Sequence, residues 1–168
     1  MIFQRTSGRR TAGLAALALL VALGGCKGAA TGNDSAATGQ VAKATVTIAT
    51  ADGGSHRFVV DVAATAQQQQ QGLMYRQSIP KDGGMLFAPY PPDGGPPKAA
   101  SFWMRNTPSS LDIIFIRPDG TIATVAEDTV PLSETPVESG EPVNAVLEIA
   151  GGRAAELGIA AGDRVTWK

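Results

Sequence analysis

From residue 44 onward, glycine, proline and other turn formers cut the chain into short apolar pieces, and this punctuation limits what it can fold into. Ala44–Thr50 (ATVTIAT) alternates and is β-branched, as a half-buried strand requires. Asp52-Gly53-Gly54 supplies a turn, and Arg57–Val62 (RFVVDV) returns as the second strand of a hairpin. Further strands are predicted at Gly84–Ala88, Phe102–Asn106, Leu111–Arg117, Thr121–Val125, Val143–Ile149 and Arg164–Trp167. Pro118-Asp119-Gly120 makes a second hairpin turn. Short strands with turn signals every 8–12 residues or so indicate a sandwich or barrel rather than βαβ units. Only two short helices interrupt them. Thr65–Gly72 has Thr65 to cap its start and Gly72 to end it, with the glutamine run as a solvated face. Arg153–Leu157 is a helical turn ended by Gly158. Tyr90–Lys98 (YPPDGGPPK) is a loop, and the acids from Glu127 to Glu141, broken by proline, read as another. The expected fold is mainly β: a jelly-roll-like β-sandwich or barrel with one or two short helices.

Residues 1–42 have a different composition. Arg5, Arg9 and Arg10 precede an apolar run, Gly13–Leu23, that is too short for a bilayer core of ~30 Å. It has the length of a secretory h-region. It ends in Leu23-Gly24-Gly25-Cys26, which resembles a bacterial lipobox: an aliphatic residue, two small residues, and the chain's only cysteine. The pattern implies a lipoprotein signal peptide at 1–25 and acylation of Cys26, since several acyl chains anchor where one binds only marginally. Lys27 is not the aspartate that retains such proteins at the inner membrane. The expected location is therefore the cell envelope, on the periplasmic side of the outer membrane. Residues 26–42 are small and polar, unable to bury a core, and read as a flexible tether to a single β-rich domain at 43–168.

Composition removes several function classes. One cysteine excludes an internal disulfide framework and a cysteine-based zinc cluster, and one histidine excludes a multi-histidine metal site. The net charge of −1 carries no nucleic-acid footprint. Losing Arg5, Arg9 and Arg10 with the leader leaves 11 basic against 15 acidic residues, a net −4.

Five segments together resemble one family: Gly72-Leu73-Met74-Tyr75-Arg76, Gly84-Met85-Leu86-Phe87, Phe102 to Thr107 (FWMRNT), Leu111 to Phe115 (LDIIF), and Leu147 to Gly152 (LEIAGG) followed by Gly162-Asp163. The chain is similar, over about Val59 to Val165, to the domain of unknown function 192 family, an uncharacterised group whose members are often secreted or lipid-anchored. The resemblance implies a jelly-roll kind of sandwich and no established activity. The Gly/Pro insertion at 91–97 departs from the family pattern and is expected to reshape a rim loop.

The residues themselves suggest a site. If Phe102–Thr107 is a strand, Phe102, Met104 and Asn106 share one face, and Trp103, Arg105 and Thr107 the other. An indole beside a guanidinium suits an acidic or sugar-like ligand, since tryptophan stacks and arginine forks onto carboxylates. The alternative is a packed tryptophan and an arginine paired internally. Asp112 and Glu148 are acids inside apolar strands, where lone charges are costly. They read as a general acid and base, or as structural acceptors from Arg76, Arg105 or backbone amides. Met74, Met85 and Met104, with His56, suit Cu(I) in an oxidising compartment, or else fill a core. Gly151-Gly152 reads as a weak anion nest or a tight turn. Ser109 and Ser110 lack a nucleophile elbow.

The expected function is thus an envelope-anchored binding module with Trp103, Arg105, Asn106, Arg76, Asp112 and Glu148 as its ligand face. Its partners would be the membrane through Cys26 and a small molecule, glycan or envelope protein. No cofactor, metal or nucleic acid is required. The rivals are a hydrolase of envelope polymer using Asp112 and Glu148, and a Cu(I) binder using the methionines.

Overall fold

The structure, a computed structural model, describes residues 41–168. The expected leader, Cys26 and most of the tether lie outside the described residues. The elements run β1 (Lys43–Ala49), β2 (Ser55–Ala63), α1 (Ala66–Gln71), β3 (Gly84–Phe87), β4 (Lys98–Phe102), β5 (Leu111–Ile116), β6 (Ile122–Ala126), β7 (Val137–Val143), β8 (Ala145–Ala150), α2 (Arg153–Leu157) and β9 (Arg164–Trp167). Seven strands form a curled sheet in the order β6-β5-β8-β3-β2-β1-β9, and β4 pairs with β7 in a second, small sheet. The fold is mainly β, as its sequence leads one to expect.

The outer strands alternate as half-buried strands should. Val46, Ile48, Phe58 and Val60 point into the core, and Thr45 and Thr47 lie on the other face. The central strands β3, β5 and β8 are buried along their length, which explains their unbroken apolar sequences. One face carries Leu86, Ile114, Leu147 and Ile149 into a core enclosed by the curl and closed by Ala154 of α2. The opposite face carries Phe87, Ile113, Phe115 and Val146 beneath β4 and β7. The sheet's two edges also meet: Thr121 bridges Arg164, Ile122 N donates to Asp163 O at 2.8 Å, and Val165 N donates to Gly120 O at 2.7 Å. Pairing one edge with the other removes the open ladders that invite aggregation.

Two sequence assignments are corrected. The strand expected at Phe102–Asn106 ends at Phe102, and residues 103–107 form a turn with Asn106 in the left-handed region (φ 57°). The loop expected through Glu141 contains β7. β7 forms despite Gly140 and Pro142 because it is an edge strand paired only with β4. At the β4 bulge, the Ser139 hydroxyl accepts from Ala100 N at 2.9 Å, in place of a ladder bond.

Asp112 is fully buried on the enclosed face. Its carboxylate accepts from Asp128 N (2.7 Å), Gly152 N (2.9 Å) and Ala154 N (2.6 Å). Neither Arg76 nor Arg105 reaches it. Arg76 pairs with Asp61 at 2.7 Å and Arg105 with Glu134 at 3.7 Å. Asp112 is therefore a structural acceptor that ties β5 to the loop after β6 and to the start of α2. Asp112→Ala would strand three amide donors and is expected to lower unfolding free energy by on the order of 3–5 kcal/mol. Asp112→Asn, which keeps one acceptor oxygen, should recover part of that loss. Urea unfolding of the two variants checks this, and a wild-type midpoint for the alanine variant would show the ties to be dispensable.

Candidate functional site

The face beneath β4 and β7 holds a cavity of about 470 Å³. One side is the last turn of α1 and Gly72–Met74. The other is Tyr90, the end of β4 through Trp103, and Pro136. Phe87 and Glu148 reach it from the curled sheet. Local packing explains how it forms. Phe102 lies edge-on between Phe87 and Phe115, with ring centroids 5.0 and 6.0 Å away, and this pins the end of β4 to the sheet. Trp103 then turns outward and is 47% exposed, while Met104 turns in and is 1% exposed. Alternation anticipates these two directions but not Thr107, expected beside Trp103 and 4% exposed, because a turn rather than a strand places them.

The turn is held on both sides by main-chain bonds. Tyr75 N donates to Asn106 O (2.8 Å), Leu132 N to Thr107 O (3.0 Å), and Met104 N to Ser133 O (2.9 Å). Tyr75, Asn106 and Leu132 all have left-handed backbones, with φ of 65°, 57° and 61°. Such conformations are costly for bulky side chains and tend to gather at functional sites. Across the cavity, α1 opens with a capping box between Thr65 and Gln68. Its glutamine run is more than a solvated face. Gln69 Nε2 donates to Ala63 O (3.0 Å) and Pro89 O (2.7 Å), latching the helix to the loop that carries Tyr90, and Gln69–Gln71 line the cavity.

Glu148 is the unusual group. It sits opposite Met85 of β3 and Ile113 of β5, so apolar side chains flank its carboxyl on both sides. It is 4% exposed, and no described residue donates a hydrogen bond to it or pairs with it. Burial alone lifts its pKa from the ordinary 4.5 to about 8. Gly84 lets β3 approach at this row: its φ is 154°, and a Cβ there would overlap the Glu148 carbonyl oxygen.

The six candidates separate accordingly. Trp103 and Glu148 line the cavity. Arg105 stacks on Trp103, 5.5 Å from the ring, at the edge. Asn106 shapes the turn, with its amide 3.9 Å from the Met74 sulfur. Arg76 is engaged by Asp61. There burial opposes ionisation, yet the bonds from Lys43 and Arg76 hold the carboxyl below its usual 3.8. Asp112 does not belong to the site. It pairs with Ile149 in the ladder while Glu148 pairs with Ile113, so the two carboxyls project from opposite faces of the sheet. They cannot act together on one bond. The methionines have separate surroundings, although Met85 and Met104 share the core cluster beneath β4 and β7. Met74 lines the cavity, Met85 is core, and Met104 accepts from the Thr129 hydroxyl at 3.1 Å. His56 is five residues before Asp61 along β2, roughly 16 Å away. Tyr90, Phe87 and the glutamines were missed as site residues, and Met74 was considered only as a copper ligand. Their only sequence signal was the presence of Phe87 and Met74 in family-like segments.

A raised carboxyl pKa has a definite sign in stability. Between about pH 4.5 and 8 the unfolded chain gives up the Glu148 proton and the folded chain keeps it, so stability falls as pH rises. Above that window both states are ionised, and the folded state bears the full desolvation cost. Glu148→Gln should remove this slope and exceed wild type in stability by several kcal/mol at pH 9. Paired melting curves from pH 5 to 9 read the difference, and parallel curves would mean that the carboxyl is not desolvated.

The pattern of the DUF192 family, described as "Uncharacterized ACR", matches residues 47–167. Among solved structures, the chain is 41% identical to a Sinorhizobium meliloti 1021 protein provisionally described as a transcription regulator. That match covers 76% of this chain and 95% of the other, with a TM-score of 0.71. It is 40% identical to a protein of unknown function from Novosphingobium aromaticivorans DSM 12444, over 78% of this chain and 89% of that one, also with a TM-score of 0.71. No curated protein matches. With the family pattern running from the first strand to the last, the chain belongs to the DUF192 family.

Proposed function

We propose that the protein is an envelope lipoprotein, anchored through Cys26, whose β domain binds a small molecule in the cavity between Trp103 and Glu148. One observation carries the binding reading. A buried carboxyl with no partner faces a cavity of about 470 Å³ beside a half-exposed tryptophan. The carboxyl opens on the cavity and no described residue bonds it, so its hydrogen-bonding capacity is left for whatever enters this aromatic-lined pocket. The anchor rests on the order of Arg5, Arg9 and Arg10, the apolar run and Cys26, with residues 26–42 as the tether. Lys27 supports the periplasmic side of the outer membrane.

Binding is favoured over hydrolysis because Glu148 has no catalytic companion on its own face. The next carboxylate there, Asp61, is two strands away, on the order of 10 Å, and already holds Lys43 and Arg76. The regulator description of the Sinorhizobium relative does not favour a nucleic-acid role for this chain, whose net negative charge lacks a phosphate-binding footprint.

Two measurements test these readings. Cys26→Ser should abolish metabolic labelling with palmitate and release the protein from the membrane fraction; retained label would remove the anchor. Trp103→Ala should cost no more than about 2–3 kcal/mol, since only about half of the side chain is buried, and should leave the domain folded with a cooperative transition. Mass spectrometry of small molecules released from protein purified from its own cells should show a compound with wild type that Trp103→Ala lacks. The same compounds in both samples, with both proteins folded, would end the binding proposal.

A further inference from the structure

We propose that this cavity selects a small organic cation, an ammonium-bearing ligand with Glu148 as its counter-ion. The inference rests on the binding reading above and adds the ligand's charge class.

The argument is one of complementarity. The lining contains one carboxyl and no lysine or arginine. An anionic ligand would meet no fixed positive charge there and would face Glu148. Of the nearby bases, Arg76 pairs with Asp61 and Arg105 with Glu134, and Lys98 lies over the Tyr90 ring outside the lining. Aromatic walls suit a cation through their negative ring faces, and two lining rings demonstrate this. Arg105 lies 5.5 Å from the Trp103 ring, and the Lys98 ammonium 5.8 Å from Tyr90. Both bases come from outside the lining, and their side chains are solvent-exposed. An ammonium also supplies what Glu148 lacks, N–H donors and an opposite charge in a low-dielectric wall.

The pH signature separates this from a neutral or anionic ligand. Binding a cation draws Glu148 into its ionised form, so affinity rises with pH until the free carboxyl is itself ionised. A ligand that accepts a hydrogen bond from the protonated acid shows the reverse. The groups facing Glu148 do not confuse the reading. Met85 on β3, Ile113 on β5, Gln69–Gln71 on α1 and Ser101–Trp103 do not titrate. Burial raises the Tyr90 phenol above 10.0, and Asp61 is held below 3.8.

The test uses the full chain and benzylammonium, with benzyl alcohol and benzoate as isosteres. Indole N–H resonances give the readout: Trp103 reports on this cavity, and Trp167 on β9 reports on a separate recess on the far side of Tyr90. Benzylammonium should shift Trp103 and not Trp167, with affinity rising about tenfold per pH unit from pH 6 toward 8 and then levelling. Glu148→Gln should flatten that dependence and weaken binding by at least about tenfold. If that variant fails to fold, the wild-type pH series still decides. Benzyl alcohol or benzoate binding as tightly, or an affinity for benzylammonium flat or falling with pH, would overturn the cation while leaving the pocket. No shift of Trp103 by any of the three would overturn both.

Discussion

One fully buried carboxylate fixes the geometry of this domain. Asp112 gathers amide protons from residues 16, 40 and 42 positions away in sequence, so a single side chain joins β5, the loop after β6 and the first turn of α2. α2 has only five residues and could not persist alone. Held by Asp112, it places Ala154 over the end of the enclosed core. A second acid repeats the device at the closing edge. Asp163 accepts from Ala51 N (2.9 Å) and Ala160 N (2.8 Å), next to the contacts that join β6 to β9. Acids in apolar surroundings are tolerable when backbone donors surround them, because each buried acceptor oxygen is then satisfied.

Glu148 is the counter-example in the same sheet. It occupies a central strand, as Asp112 does, but on the opposite face and with no donor. Pleating makes the difference. In neighbouring paired strands, Asp112 falls in register with Ile149 and Glu148 with Ile113, so one carboxyl turns toward amides and the other toward an aromatic cavity. The family-like segments divide along the same line. Gly72 to Met74, Phe87, Phe102-Trp103 and Glu148 converge on the cavity, whereas Asp112, Gly151-Gly152 and Asp163 hold the sheet's ends. The cavity wall inherits its precision from three interlocked left-handed residues, Tyr75, Asn106 and Leu132, whose conformational cost is borne by the packed elements around them.

Much of the framework was legible before any coordinates. Period-two runs at Ala44–Thr50 and Arg57–Val62, turn residues at Asp52–Gly54 and Pro118–Gly120, and the Thr65 and Gly72 caps specify local structure through short-range sterics and hydrogen bonds. The errors came where distant partners override local preference. β7 carries Gly140 and Pro142, and only its pairing with β4 makes it a strand. Residues 103–107 look like a strand, and only the flanking turns bend them.

The sequence alone determined the class of fold, through periodicity and turn residues, the family, through the resemblance of five segments, and that Asp112 and Glu148 are unexpected acids in apolar strands. Tertiary structure decided which acid is sealed by amides and which opens on a cavity. That choice depends on ladder register and on which face a second sheet covers, and both are set by contacts between residues far apart in the chain.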